Sequence, residues 1–212
     1  MKSSDIPAPA VHRLSLYLRE LENLRQADRR TVSSRQLGDA LKLTATQIRK
    51  DLAYFGQFGK PGIGYDIEAL MGRIRRILGT DRTWNVLLVG AGNLGMALSA
   101  YRGFAKKGFR LCAVFDDDPE KIGRPIPAFP AIFIRPVCDI PIAVREKDIR
   151  LAIVAVPAHA AQGVADALVG AGVRGILNFA PVSIHVTATA AVTAVDLAVQ
   201  LEQLSFQVSA LE

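Results

Sequence analysis

The first residues able to do chemistry are three glycines at a set spacing, Gly90-x-Gly92-x-x-Gly95. They follow the apolar run Val86-Leu87-Leu88-Val89 and precede Met96-Ala97-Leu98-Ser99-Ala100, so they read as the turn between a buried parallel strand and a helix. That order suits a dinucleotide pyrophosphate. Gly90 makes the turn tight, Gly92 lets the backbone approach the phosphates, and Gly95 lets the helix close on the strand. Ala91, Asn93 and Leu94 complete the loop, and the helix N-terminus adds free N–H groups and a positive dipole end. A second apolar stretch, Arg110 to Phe115, ends in Asp116, 21 residues after Gly95. A carboxylate there is placed to bind the adenosine ribose hydroxyls and to repel a 2′-phosphate, favouring NAD(H) over NADP(H). An ordinary βαβ unit with a solvated acidic turn is the plainer alternative.

A second set of residues suits a different chemistry. Thr46, Gln47, Arg49 and Lys50 lie on a short helix behind Thr44, which caps it in a Thr-x-x-Gln box. Arg and Gln can read base edges in a major groove, while Lys and Thr can hold phosphates. The glycine-dense stretch Gly56 to Tyr65 follows, with Lys60 at its centre to reach a minor groove or a phosphate. A helical hairpin with a charged face would share the first of these features. His159 is the one histidine placed for catalysis, as a general acid at the end of a strand. No carboxylate or lysine close in sequence orients it, and no catalytic residue is assigned.

These sets need scaffolds to position them. A helix is expected over roughly 9–26, with apolar Val11, Leu14, Leu18 and Leu21 on one face. A second spans Arg35–Leu41, capped by Ser33 or Ser34, and the third runs from Thr44 to about Phe55. Leu37, Leu41, Leu43, Ile48 and Leu52 pack between them as a helix-turn-helix. The glycine stretch makes a β-hairpin wing, and a fourth helix covers Asp66–Leu78. Beyond a linker at 79–83, strands are expected at 85–89, 110–115, 150–156 and 174–178, with a short one near 131–134. Helices fit 94–106, 140–147 and 159–171. The fold class is α/β: an N-terminal winged helix, then a Rossmann-like doubly wound parallel sheet. Val156 and Pro157 close one strand and Asn178, Phe179 and Ala180 another, from where they can reach a nicotinamide. Residues 190–209 read as one apolar helix, with Leu197, Leu201, Leu204 and Val208 in a stripe and Asp196 on a polar strip. It is expected to swap into a partner in a symmetric dimer. The domains are thus 1–80, 81–189 and 190–212.

Composition agrees with that division. Residues 1–80 hold 14 Lys and Arg against 8 Asp and Glu, and the remainder holds 12 against 12, so the whole net charge of +6 sits on the first module. A basic module for a polyanion is implied, with a solvated basic surface as the alternative. Half of the residues are hydrophobic, which excludes disorder. Cys112 and Cys138 have no metal-ligand neighbours, so reduced thiols and no metal are expected. No apolar run is long enough to cross a bilayer, and a cytoplasmic location is expected.

With these residues in view, the sequence resembles the Rex redox-sensing transcriptional repressors over nearly its whole length. The resemblance rests on residues 44–56 (Thr-Ala-Thr-Gln-Ile-Arg-Lys-Asp-Leu-Ala-Tyr-Phe-Gly), 90–95 (Gly-Ala-Gly-Asn-Leu-Gly), 115–123 (Phe-Asp-Asp-Asp-Pro-Glu-Lys-Ile-Gly) and 175–181 (Gly-Ile-Leu-Asn-Phe-Ala-Pro). It implies a homodimer on double-stranded operator DNA that NADH releases and NAD+ leaves bound. It implies Arg49 and Lys50 in the recognition helix, and Lys60, Gly62 and Gly64 in the wing. It further implies Tyr101 near the nicotinamide end and a pairing of Arg19 with Asp196 between subunits. An NAD-dependent dehydrogenase with a basic appendage, acting through His159, is the rival from another class.

Overall fold

The computed structural model describes residues 6–59 and 62–210. The chain divides into two compact units, Met1–Arg82 and Thr83–Glu212.

The first unit contains α1 (Ala8–Gln26), β1 (Thr31–Val32), α2 (Ser34–Leu41), α3 (Ala45–Ala53), β2 (Tyr65–Asp66) and α4 (Ile67–Leu78). Leu14, Tyr17, Leu18 and Leu21 recur at helical spacing along α1 and are buried against Ile67, Leu70, Met71 and Ile74 of α4. Leu37, Ile48 and Leu52 close the same core from α2 and α3, with Leu41 and Leu43 half-buried beside them. Caps set the boundaries. Ser33 and Gln36 form a full capping box on α2, while Lys42 ends that helix in a left-handed turn. Thr44 accepts the Gln47 backbone N–H, but the Gln47 side chain does not complete the box: its amide donates to Asp51 instead. That charge-assisted bond to a buried carboxylate one turn on holds the side chain away from the Thr44 N–H.

In the glycine stretch, Tyr65–Asp66 pairs antiparallel with Thr31–Val32, which precedes the helix-turn-helix. The expected hairpin tip at Lys60 lies outside the described residues. Gly56, Gly62 and Gly64 take positive φ, which glycine adopts without steric cost. Gly64 is required twice over, because a Cβ there would meet the Val32 carbonyl oxygen at 2.5 Å.

The second unit contains β3 (Trp84–Val89), α5 (Asn93–Ala100), α6 (Arg102–Lys106), β4 (Phe109–Asp116), β5 (Pro125–Ile126), β6 (Phe129–Pro136), a 3-10 turn (Val137–Asp139), α7 (Ile140–Glu146), β7 (Leu151–Val154), α8 (Ala158–Ala171), β8 (Gly175–Asn178), β9 (Ala191–Ala194) and α9 (Leu197–Ser209). The sheet order is β5-β6-β4-β3-β7-β8-β9, parallel throughout except for the β5–β6 pairing. This is a doubly wound Rossmann order with its switch point between β3 and β7, where a ligand crevice belongs. Side chains alternate along β3: Leu87 and Val89 pack with α7 and α8, and Val86 and Leu88 with half-buried Met96, Leu98 and Phe104 from α5 and α6.

Two helices expected from the sequence are each divided. The segment 94–106 breaks at Tyr101, whose backbone is extended and whose ring meets Phe104 edge-on at 5.1 Å. Residues 190–209 are not one helix. Ala191-Val-Thr-Ala194 adds a parallel edge strand to β8, as β-branched residues favour, and the helix starts only after Asp196. Asp196, expected on a polar strip of that helix, is instead its N-cap, accepting the backbone N–H groups of Ala198 and Val199. No residue of α9 is buried.

Candidate functional site

The glycine loop sits at the switch point. Gly90 takes φ +99° and its N–H donates to the Phe115 carbonyl at 2.8 Å, linking the β3 and β4 strand ends. A Cβ at Gly90 would collide with the Ala155 carbonyl of the neighbouring strand end, and one at Gly95 with the Gly90 carbonyl. Gly92, the N-cap of α5, has open space where its Cβ would be. The first and third glycines are therefore demanded by the protein itself, whereas the second leaves room for something else. Asn93 and Leu94 are exposed on the first turn of α5, and Ala91 is buried beneath the loop.

Asp116 closes on this loop from the end of β4. Its Oδ2 accepts the Ala91 N–H at 2.6 Å and its Oδ1 the Asp118 N–H at 2.9 Å. Burial would push the Asp116 carboxyl up, but these N–H groups and the Lys121 ammonium, 3.3 Å away, hold it below the usual carboxylate range. The sequence shows Lys121 only as a member of the 115–123 motif, with no role of its own. A cation five residues beyond Asp116 in the turn Asp-Asp-Asp-Pro-Glu-Lys was the available signal. Lys121 also reaches Asp118 at 3.3 Å, and these carboxylates outweigh its desolvation, so its ammonium is raised.

The other rim comes from the ends of β7 and β8. Val156 is half-buried and Pro157 is the exposed N-cap of α8. The Phe179 N–H donates to the Val154 carbonyl at 2.8 Å, holding the two strand ends together. Asn178 has another task than reaching a ligand. Fully buried, it accepts the Ala180 N–H and donates to the Val182 carbonyl, so it shapes the turn that carries half-buried Phe179 and buried Ala180. Tyr101 ends α5, is largely exposed, and lines with Ile153 of β7 and Leu177 of β8 a cavity along the sheet face. His159 stands exposed on the first turn of α8. Among the described residues no cluster of His, Cys, Asp and Glu could hold a metal ion.

In the first unit, Thr46, Arg49 and Lys50 are exposed on α3 and Gln47 is half-buried. Arg49 is held in place, its guanidinium donating to Ser34 Oγ and Thr46 Oγ1, each at 3.1 Å. Gly62 is exposed and Gly64 half-buried, while Lys60 lies outside the described residues. Arg19 is exposed on α1. Sequence reasoning missed Asp51. It is fully buried on α3, hydrogen-bonded by Arg13, Tyr17 and Gln47. The signal was a carboxylate beside Ile48 and Leu52 on the inward face.

Residues 5–53 match a family described as "Putative DNA-binding protein N-terminus", and residues 81–182 match the "CoA binding domain" family. A redox-sensing transcriptional repressor Rex from Carboxydothermus hydrogenoformans is 47% identical over 208 residues, covering 98% of this chain and 99% of the relative. The chain belongs to the Rex family. Another Rex repressor, from Chloroflexus aggregans, is 45% identical over 97% of this chain and 96% of its own. Among solved structures, the Rex-family repressor RSP in complex with β-NAD+ and operator DNA aligns with TM-score 0.90 and 36% identity, covering 96% of this chain and 92% of that one. RSP in complex with β-NADH aligns with TM-score 0.85 and 34% identity, covering 96% and 94%. The Rex fold thus spans both units: the helix-turn-helix unit and the Rossmann sheet, with each of the two residue sets on its own scaffold. Among the described residues, no helix is long and apolar enough to cross a membrane.

Proposed function

We propose that this Rex-family repressor binds a palindromic operator as a homodimer and releases it when NADH occupies the glycine loop. The observation that carries this reading is the pairing, in one chain, of an intact dinucleotide loop closed by Asp116 with a cationic helix-turn-helix. The alignment with RSP bound to β-NAD+ and operator DNA supports it. Arg49 and Lys50 contact the DNA, with Thr46 and Gln47 beside them and Lys60, Gly62 and Gly64 in the glycine turn.

The nucleotide lies over Gly90–Gly95 with its ribose on Asp116 and its nicotinamide towards Val156, Pro157, Phe179 and Ala180. Asn178 serves that end by holding its turn. NAD+ and NADH differ there by one charge and by ring planarity, and an apolar wall favours the neutral ring. Reversing a two-state balance from 1:99 to 99:1 takes about 10⁴-fold differential affinity, about 5.5 kcal/mol. The pocket provides this only if it closes on the ring. Closure turns the paired DNA-reading units out of the spacing that fits two half-sites.

Dimerisation supplies the second wall. Leu201 and Phe206 of α9 are 67% and 77% exposed, and a cavity of about 730 Å³ lies along the sheet face over Leu88, Leu98, Tyr101, Leu111 and Ile153. In a two-fold dimer α9 of each protomer covers apolar surface of its partner, and Tyr101, Arg19 and Asp196 fall at the boundary between subunits. No catalytic role is assigned to His159. Fluorescence anisotropy of a labelled operator tests the reading: NADH should release the DNA at concentrations where NAD+ leaves it bound. Release by neither nucleotide, with DNA binding intact, would overturn it and turn attention to dehydrogenase turnover.

A further inference from the structure

Asp51 is the one fully buried charged side chain among the described residues. All its acceptor positions are taken. Oδ2 accepts from Arg13 Nε and Tyr17 Oη, each at 2.5 Å, and Oδ1 accepts from Arg13 Nη2 and Gln47 Nε2, each at 2.7 Å. The Arg13 fork and the Tyr17 hydroxyl both come from α1, so they fix the carboxylate plane independently of α3. Burial would raise the Asp51 carboxyl, but the hydrogen bonds from Arg13, Tyr17 and Gln47 hold it below the usual range. It is therefore ionised at neutral pH and can only accept.

That constraint passes to Gln47, one helical turn earlier. A glutamine amide has a donating end and an accepting end, and a free one turns either way. An ionised Asp51 admits only the donating end, so Nε2 faces inward and Oε1 is directed away. We propose that Asp51 is a specificity-determining positioning residue, acting through Gln47 to present a carbonyl acceptor, rather than an amino donor, to the bases. The proposal rests on α3 being the helix that reads DNA. An acceptor in the major groove suits the amino groups of adenine or cytosine and rejects the keto oxygens of guanine and thymine.

The test uses the full chain and a palindromic operator obtained by selection from random sequence. Single symmetric base-pair changes are introduced, and affinities are measured at fixed salt for wild type, Gln47→Ala, Asp51→Asn and the double variant. Gln47→Ala should flatten the preference at one base-pair position by about tenfold. The side-chain amide introduced by Asp51→Asn can donate to Gln47 and turn the glutamine amide around. That variant should therefore shift the preference at the same position, about tenfold, from adenine or cytosine towards guanine or thymine. The double variant should match Gln47→Ala in preference.

A uniform loss across all operators with Asp51→Asn would make Asp51 merely structural and overturn the inference. Unchanged preference at every position with Gln47→Ala would instead overturn the reading of Gln47 as a base contact. A fold-safe readout is available should Asp51→Asn not fold: side-chain NMR of Gln47 in the wild type. Slowly exchanging, well-separated Nε2 protons are expected, and rapidly exchanging ones would contradict the fixed amide.

Discussion

Asp116→Ala separates the nucleotide site from ordinary βαβ architecture. The carboxylate is ionised and half-buried at the strand end, already accepting the Ala91 N–H at 2.6 Å and the Asp118 N–H at 2.9 Å. A bound ribose offers it hydroxyl donors in the same region. A net hydrogen bond to a charged group contributes about 1.5–3 kcal/mol. Removing one or two such bonds, with water filling part of the gap, should weaken nucleotide binding by about 2 kcal/mol, roughly 30-fold. The ribose is identical in NADH and NAD+, so both should weaken alike and their ratio should hold. A second consequence follows from Lys121, whose ammonium lies 3.3 Å from Asp116. Without the carboxylate, that cation is left where a 2′-phosphate would sit, and discrimination against NADPH should fall by about tenfold or more. Nicotinamide fluorescence titrations with NADH and NADPH measure both effects, with circular dichroism confirming the fold. An unchanged NADH affinity would refute the assignment of Asp116. Unchanged discrimination with weakened NADH would refute the argument from Lys121.

Gly92→Ala should leave the melting temperature unchanged, since its Cβ meets nothing within 4 Å, yet weaken NADH at least tenfold by crowding the phosphates. Gly95→Ala, whose Cβ collides with the Gly90 carbonyl, should cost about 1–3 kcal/mol in urea unfolding before any nucleotide is added. The Asp51 carboxyl is depressed in the folded state, so its stabilisation is present above the unfolded pKa of about 4 and is lost as pH falls through the lower folded value. Asp51→Asn should accordingly destabilise by about 3 kcal/mol at pH 7, with the gap to wild type closing in acid, as denaturant titrations across pH would report. Leu201→Asp with Phe206→Asp, at exposed apolar positions of α9, should convert the sedimenting species from dimer to monomer; a monomeric wild type would contradict the dimer outright.

What the sequence made legible follows from how local each signal was. The run from Val86 to Gly95 carries its own strand, turn and helix start, so each glycine could be given a task before any packing was known. Caps such as Ser33 and Thr44 were equally local. The division of 94–106 at Tyr101 was hidden because Leu98, Tyr101 and Phe104 keep a helical spacing across the break. The strand at 191–194 was hidden for a related reason. Val192 and Val195 suit a helix face as well as a strand, and only pairing with β8 decides between them. Asp51 was out of reach because its partners Arg13 and Tyr17 stand 38 and 34 residues away in the chain. Asn178 stands at a strand end, where the sequence points to a ligand contact, while in the fold its own turn takes up its amide.

The most direct measurement of the central claim is operator occupancy at constant total nucleotide, with the NADH fraction varied from zero to one at fixed salt. Occupancy should fall as the fraction rises, with a midpoint that stays at the same NADH-to-NAD+ ratio when the saturating total is raised tenfold. A midpoint that follows total nucleotide instead, or occupancy indifferent to the fraction, would contradict a repressor that reads redox state.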